Sequence, residues 1–161
     1  MAQNSPLPVD HAAARMQPGA LLARGVCRFL VDGGFAPATE VSPARGLRCD
    51  VLALGPKGEI WAVECKSGLP DFRADRKWEG YLEWCDRLFF AVDADFPVEV
   101  LPEDQGLILA DGFGAEIIRM PEARPLAAAR RKALTARFAR AAALRLRAAL
   151  DPGTGAFSLG D

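Results

Sequence analysis

The chain has 161 residues and a mass of 17.3 kDa, half of them hydrophobic and a quarter charged, which suits one well-cored domain and is too short for two ordinary ones. The longest uncharged stretch, nine residues, is about half of what a membrane-spanning helix needs, and the N-terminus lacks the basic and apolar pattern of a secretory signal. Four scattered cysteines and a single histidine, His11, argue against structural zinc and exclude Ser-His-Asp and Cys-His catalysis, while the net charge of −1 hides nine basic residues against one acid between 119 and 150.

Residues 1–17 and 151–161 lack periodicity and are expected to be flexible tails around one domain, 18–150. Pro18 and Gly19 open a predicted helix with Leu22, Val26, Phe29 and Leu30 at helical spacing, stopped by Gly33 and Gly34. Strands are predicted at 35–41, where Pro37 indicates an edge, at 47–54 and at 59–66. A helix is expected over 75–85, then strands at 87–92, 106–110 and 115–119, the last pair joined by a turn at Gly112-Phe113-Gly114. A long helix over 126–150 carries Leu134, Phe138, Ala142, Leu146 and Leu150 at i+4 spacing. The order implies an α/β three-layer sandwich, a mixed β-sheet with helices on both faces. Free, mostly buried thiols in a reducing, cytoplasmic setting are the expectation for Cys27, Cys49, Cys65 and Cys85.

Alternation in Val63-Glu64-Cys65-Lys66 puts Glu64 and Lys66 on one face of the third strand. Asp50 lies on the preceding strand, and the turn decides whether it joins them. Gly55-Pro56-Lys57-Gly58 fits a three-residue loop with Gly58 in the left-handed region, which pairs Gly55 with Glu59, Asp50 with Glu64 and Arg48 with Lys66. A two-residue loop would turn Asp50 to the wrong face. Two facing carboxylates repel unless a cation lies between them. Hard oxygen donors suit Mg²⁺ or Mn²⁺, with the Cys65 backbone carbonyl as a further ligand. Lys66 on the same face can stabilise a phosphorane or position the attacking water, so these residues hold the parts for metal-assisted phosphodiester hydrolysis.

A strand-borne D…E-x-K hairpin between helices resembles the core of the PD-(D/E)XK superfamily, the restriction-endonuclease-like fold (αβββαβ). More narrowly, Glu40…Arg48-Cys49-Asp50-Val51-Leu52-Ala53-Leu54, Val63-Glu64-Cys65-Lys66-Ser67, and the blocks at 71–78, 81–92 and 101–111 resemble the bacterial MmcB family of DNA-repair proteins. The resemblance implies a nuclease-like fold, here with a long C-terminal helix added, and a role in the response to DNA damage such as mitomycin C cross-links. It makes Asp50 and Glu64 metal ligands and Lys66 the catalytic lysine. Two departures stand out: Cys49 replaces the proline before Asp50, and the first helix has no glutamate, for which Glu40 substitutes. By the same resemblance Lys77 and Tyr81, on the 75–85 helix, meet the substrate phosphate. Asp71 is expected to cap a turn or helix start, and Asp75 to pair locally with Arg73.

Arg137, Arg140 and Arg147 form a basic stripe on the last helix, and together with Arg48 they are candidates for holding a phosphate backbone. The implied partner is DNA, with RNA left open, together with a repair-protein partner or a second copy. The leading expectation is a divalent-metal-dependent deoxyribonuclease of DNA repair. The alternatives are a catalytically inactive DNA-binding or scaffold protein on the same fold, and a protein-interaction module.

Overall fold

The computed structural model describes residues 16–153, so most of the two expected tails lies outside the described residues. The elements run α1 (Pro18–Asp32), β1 (Ala36–Val41), β2 (Cys49–Leu54), β3 (Ile60–Cys65), α2 (Leu69–Ala74), α3 (Trp78–Tyr81), β4 (Arg87–Val92), β5 (Gly106–Ala110), β6 (Ala115–Arg119) and α4 (Ala128–Leu150). A 3₁₀ turn, Val98–Val100, interrupts the connection between β4 and β5. All six strands form one mixed sheet in sequence order. The β1–β2, β2–β3 and β5–β6 pairs are antiparallel, whereas β3–β4 and β4–β5 are parallel.

Period-two alternation sorts the sheet residues between two faces. Val51, Ala53, Val63, Cys65, Phe89, Ala91, Ile108 and Ala110 pack under Leu22, Val26 and Leu30 of α1. Leu52, Ile60, Ala62 and Leu88 face the other way, against Tyr81, Cys85 and the α4 residues Leu134 and Phe138. The expected layering of helices on both faces of a mixed sheet is therefore present. α1 sits close because residue 25 is glycine: a Cβ there would lie 1.9 Å from the Asp111 carbonyl oxygen. Pro37 is on β1, at the sheet edge, where a missing N–H leaves no central ladder incomplete.

The hairpin between β2 and β3 has the predicted loop. The Gly55 N–H donates to the Glu59 carbonyl at 2.8 Å, and Gly58 adopts φ +83°. Val51 then pairs with Val63 and Leu52 with Ala62, the register that turns Asp50 toward the face of Glu64. The hairpin between β5 and β6 also follows expectation, with Asp111 Oδ1 accepting from the N–H groups of Phe113 and Gly114.

One predicted element is replaced. Instead of a helix over 75–85, the chain forms α2, an extended break at Asp75 (φ −77°, ψ 118°) and then the single turn of α3. Asp75 causes the break itself, because its Oδ1 accepts from the Lys77 N–H at 2.7 Å and competes with helical pairing. Phe72 and Trp78, on either side of the break, both pack edge-on against Phe90 of β4 and pin it to the sheet.

A buried acid locks α4 onto this framework. Asp86 accepts from the N–H groups of Ile60 (2.7 Å) and Leu126 (2.8 Å) and from both terminal nitrogens of Arg131 at 2.7 and 2.6 Å. Burial alone would raise its pKa, but Arg131 and the two N–H groups hold it below the ordinary carboxylate range. Three cysteines are buried and Cys27 is half-buried, all of them free thiols as expected. Among the described residues no helix is long and apolar enough to cross a membrane.

Candidate active site

β2 and β3 bring Asp50 and Glu64 together, and each acid is tied to the strand of the other. The Asp50 N–H donates to Glu64 Oε1 at 3.3 Å, and Asp50 Oδ2 accepts from the Cys65 N–H at 2.8 Å. Cys65 thus meets the site through its backbone, with its side chain on the α1 face. Lys66 follows at the end of β3. Its Nζ lies 2.7 Å from Asp75 Oδ2 and 3.4 Å from Glu64 Oε2. Glu64 and Lys66 are 4% and 5% exposed, whereas Asp50 and Asp75 are half-buried.

The electrostatics follow from this crowding. Burial, reinforced by the facing Asp50, pushes Glu64 up to about 7. Burial also raises Asp50, against the opposing effects of the Cys65 N–H and Lys66. For Lys66 burial works against the charged form, yet the Asp75 hydrogen bond and the neighbouring Glu64 outweigh it and hold the ammonium above its ordinary value. Asp75 is held below the carboxylate range by Lys66 and by the N–H groups of Lys77 and Trp78, despite its burial. Two facing carboxylates that resist joint ionisation form a hard oxygen donor set that a divalent cation would relieve. Mg²⁺ is commonly bound by one or two carboxylates together with water and substrate phosphate, and Asp50 and Glu64 fit that pattern.

Asp75 is the member of this cluster that sequence reasoning misses. Its expected local pair with Arg73 is replaced by the ion pair with Lys66, because the break in the helix turns Asp75 toward β3. An acid that interrupts a helical pattern beside aromatic residues is the available sequence signal. Asp71 stays local, accepting from the Ser67 N–H at 3.1 Å in the first turn of α2.

The outer candidates are scattered more widely. Glu40 stands across from Asp50 between the Thr39–Val51 and Val41–Cys49 pairs, but its carboxylate is 2.6 Å from the Arg48 guanidinium. Glu40 therefore does not complete a third carboxylate beside Asp50 and Glu64. Among the described residues no three His, Cys, Asp or Glu side chains are grouped to hold a metal ion. Arg48 is exposed and engaged with Glu40 rather than lying over Lys66. Tyr81 is not presented to a substrate: it is buried, and its hydroxyl donates to the Arg48 carbonyl at 2.9 Å. Packing against Cys85 and Leu52 claims the ring once α3 shortens. Lys77 is exposed on the rim.

The arginine stripe of α4 divides in the same way. Arg137 donates to the Pro43 carbonyl, and Arg145 donates to the carbonyls of Thr39 and Glu40, so both fasten α4 to β1 and the loop after it. Arg147 pairs with Asp151 at 3.1 Å, and Arg140 is exposed.

A search of curated proteins finds no match. Among solved structures, a protein of unknown function from Silicibacter pomeroyi is 58% identical, with a TM-score of 0.86 over 89% of this chain and 99% of that one. A family model described as DNA repair protein MmcB-like matches residues 8–153, nearly all of the chain, and the protein belongs to that MmcB-like family.

Proposed function

We propose that the protein is a divalent-metal-dependent nuclease that hydrolyses phosphodiester bonds of DNA in repair, on a core of the restriction-endonuclease-like type. The supporting observation is the convergence of Asp50, Glu64 and Lys66 on one face of the β2–β3 hairpin, with both acids fastened by backbone N–H groups. Mg²⁺ or Mn²⁺, when bound, would supply Lewis-acid activation of the phosphate and of the attacking water. Asp50 and Glu64 would hold it. Lys66, kept charged by its carboxylate neighbours, would stabilise the negative charge that grows on the phosphoryl oxygens. Lys77 on the rim and Arg140 on α4 offer sequence-independent contacts to the phosphate backbone.

A second possibility, DNA binding or scaffolding without cleavage, is favoured by one observation: Glu40 pairs with Arg48, leaving Asp50 and Glu64 as the two candidate metal-binding carboxylates rather than three. Incubation with labelled single-stranded, duplex, flap and branched DNA, in Mn²⁺, Mg²⁺ or EDTA, separates the two. Cleavage is expected only with the metal, and Lys66→Ala is expected to lower its rate about 100- to 1,000-fold. Equal cleavage by Lys66→Ala would overturn the assignment. Salt-sensitive binding by both proteins without turnover would favour the scaffold.

A further inference from the structure

Lys66 has two carboxylates within reach, and the nearer one is not a candidate metal ligand. Its Nζ is 2.7 Å from Asp75 but 3.4 Å from Glu64, at the outer edge of hydrogen bonding. We propose, building on the assignment of Asp50, Glu64 and Lys66 as a hydrolytic centre, that Asp75 is its positioning residue, drawing the Lys66 ammonium away from Glu64 so that a Glu64 oxygen stays open to a divalent cation.

The lysine stem is flexible and lets a buried ammonium settle on whichever carboxylate holds it best. Both partners are shielded from water, with side-chain exposures of 6% for Lys66 and 12% for Asp75. Asp75 is the better anchored of the two acceptors. It sits in the extended break between α2 and α3, its Oδ1 takes the Lys77 N–H, and Oδ2 is left for Lys66. Phe72 and Trp78, flanking the break, are both packed on Phe90, so the carboxylate has little freedom to follow the lysine.

Glu64 is placed differently. Its Oε1 already accepts from the Asp50 N–H at 3.3 Å, and Oε2 is the oxygen that faces Lys66. If Asp75 lost its charge, Glu64 would become the nearest carboxylate for a buried ammonium. Closing the 3.4 Å gap would then occupy Oε2 as well, leaving the cation one fewer donor. The small difference between the two Lys66 distances thus separates an available Glu64 from a sequestered one.

Asp75→Asn keeps a side-chain oxygen for the Lys77 N–H and replaces the charged acceptor facing Lys66 with a neutral NH2. If that variant folds poorly, Asp75→Ser also retains an acceptor for the turn. The first readout needs neither metal nor DNA: nitrogen-15 NMR of the lysine ammonium groups in the full chain, with Lys66 assigned by its loss in Lys66→Arg. A slowly exchanging Lys66 signal is expected in the wild type and in Glu64→Gln, and its loss or a large shift is expected in Asp75→Asn. The second readout is titration with Mn²⁺ alone, where affinity is expected to fall about 10- to 100-fold in Asp75→Asn and to recover in part in Asp75→Glu. With DNA as substrate, kcat is expected to fall while KM holds.

An ammonium signal indifferent to Asp75→Asn would overturn the proposal, as would unchanged Mn²⁺ affinity or a wild type that binds no Mn²⁺. Failure of the wild type to cleave any DNA would overturn the nuclease assignment alone, because the ammonium and Mn²⁺ measurements still decide the role of Asp75.

Discussion

The Asp50 backbone N–H donates to the carboxylate of Glu64, and the Asp50 carboxylate accepts from the backbone N–H of Cys65, the next residue after Glu64. This exchange holds two acids side by side on adjacent strands without a basic group between them. Each bond runs from a backbone N–H of one strand to a carboxylate of the other, so the exchange fixes both the rotamers and the spacing of the two acids. Burial of Glu64, reinforced by repulsion from Asp50, shows in its raised proton affinity.

Stability should therefore depend on pH in a defined direction when divalent cations are chelated. Glu64 rises from 4.5 to about 7 on folding, so the folded protein holds more protons than the unfolded chain between those values. Stability is then expected to fall as pH rises through that window, and Glu64→Gln is expected to remove much of the slope. Urea denaturation of both proteins in EDTA at intervals from pH 4.5 to 8 measures it. A slope that is identical in the variant would contradict the assignment.

Asp86 should matter more for stability than any residue of the candidate site. Replacing it with alanine strands the Ile60 and Leu126 N–H groups and leaves the partly buried Arg131 without its carboxylate. Loss of one partner from a buried pair is worth ~3–5 kcal/mol, and the one-third exposure of Arg131 argues for about 3. Asp86→Asn is expected to lose less, since an amide oxygen still accepts one N–H. Equilibrium unfolding ranks the two variants.

Glu40 carries a backbone conformation that a side chain disfavours, with φ +55°. Its ion pair with Arg48 is largely exposed and compensates little. Glu40→Gly is expected to stabilise the fold by about 1 kcal/mol through relief of the left-handed conformation, read as a raised denaturation midpoint. If cleavage activity also persists in this variant, Glu40 is not a metal ligand.

The α4 arginines should separate by role. Arg140→Glu is expected to weaken DNA binding and to reduce the slope of log affinity against log salt by about one, with an unchanged melting temperature. Arg137→Ala is expected to lower the melting temperature, because its guanidinium holds the Pro43 carbonyl. Salt-dependent binding assays and thermal melts on the same two proteins test the division. Loss of DNA binding in neither would argue against an α4 interface.

Much of the sheet was legible because its determinants are local. Runs such as Arg-Leu-Phe-Phe-Ala-Val at 87–92 and Gly-Leu-Ile-Leu-Ala at 106–110 become β4 and β5 with those bounds. Pro37 announced an edge, and Gly55-Pro56-Lys57-Gly58 set the loop and with it the side of the sheet on which Asp50 lies. Turn chemistry and period-two alternation act over a few residues, so they can be read directly from the chain.

Long-range competition decided the rest. The 75–85 helix gave way because the Asp75 carboxylate takes a backbone N–H and a lysine nine residues away, while Phe72 and Trp78 find Phe90 on β4. Tyr81 was drawn inward by a carbonyl 33 residues earlier in the chain, and Arg137 by one 94 residues earlier. A helical stripe shows which charges share a face but not which carbonyls wait opposite it. The amino-acid sequence by itself thus determined the β2–β3 hairpin and the pairing of Asp50 with Glu64, both settled by local backbone geometry. Only the tertiary structure decided which charges remain available and which carboxylate holds Lys66, since a buried polar group takes whatever partner packing brings within reach.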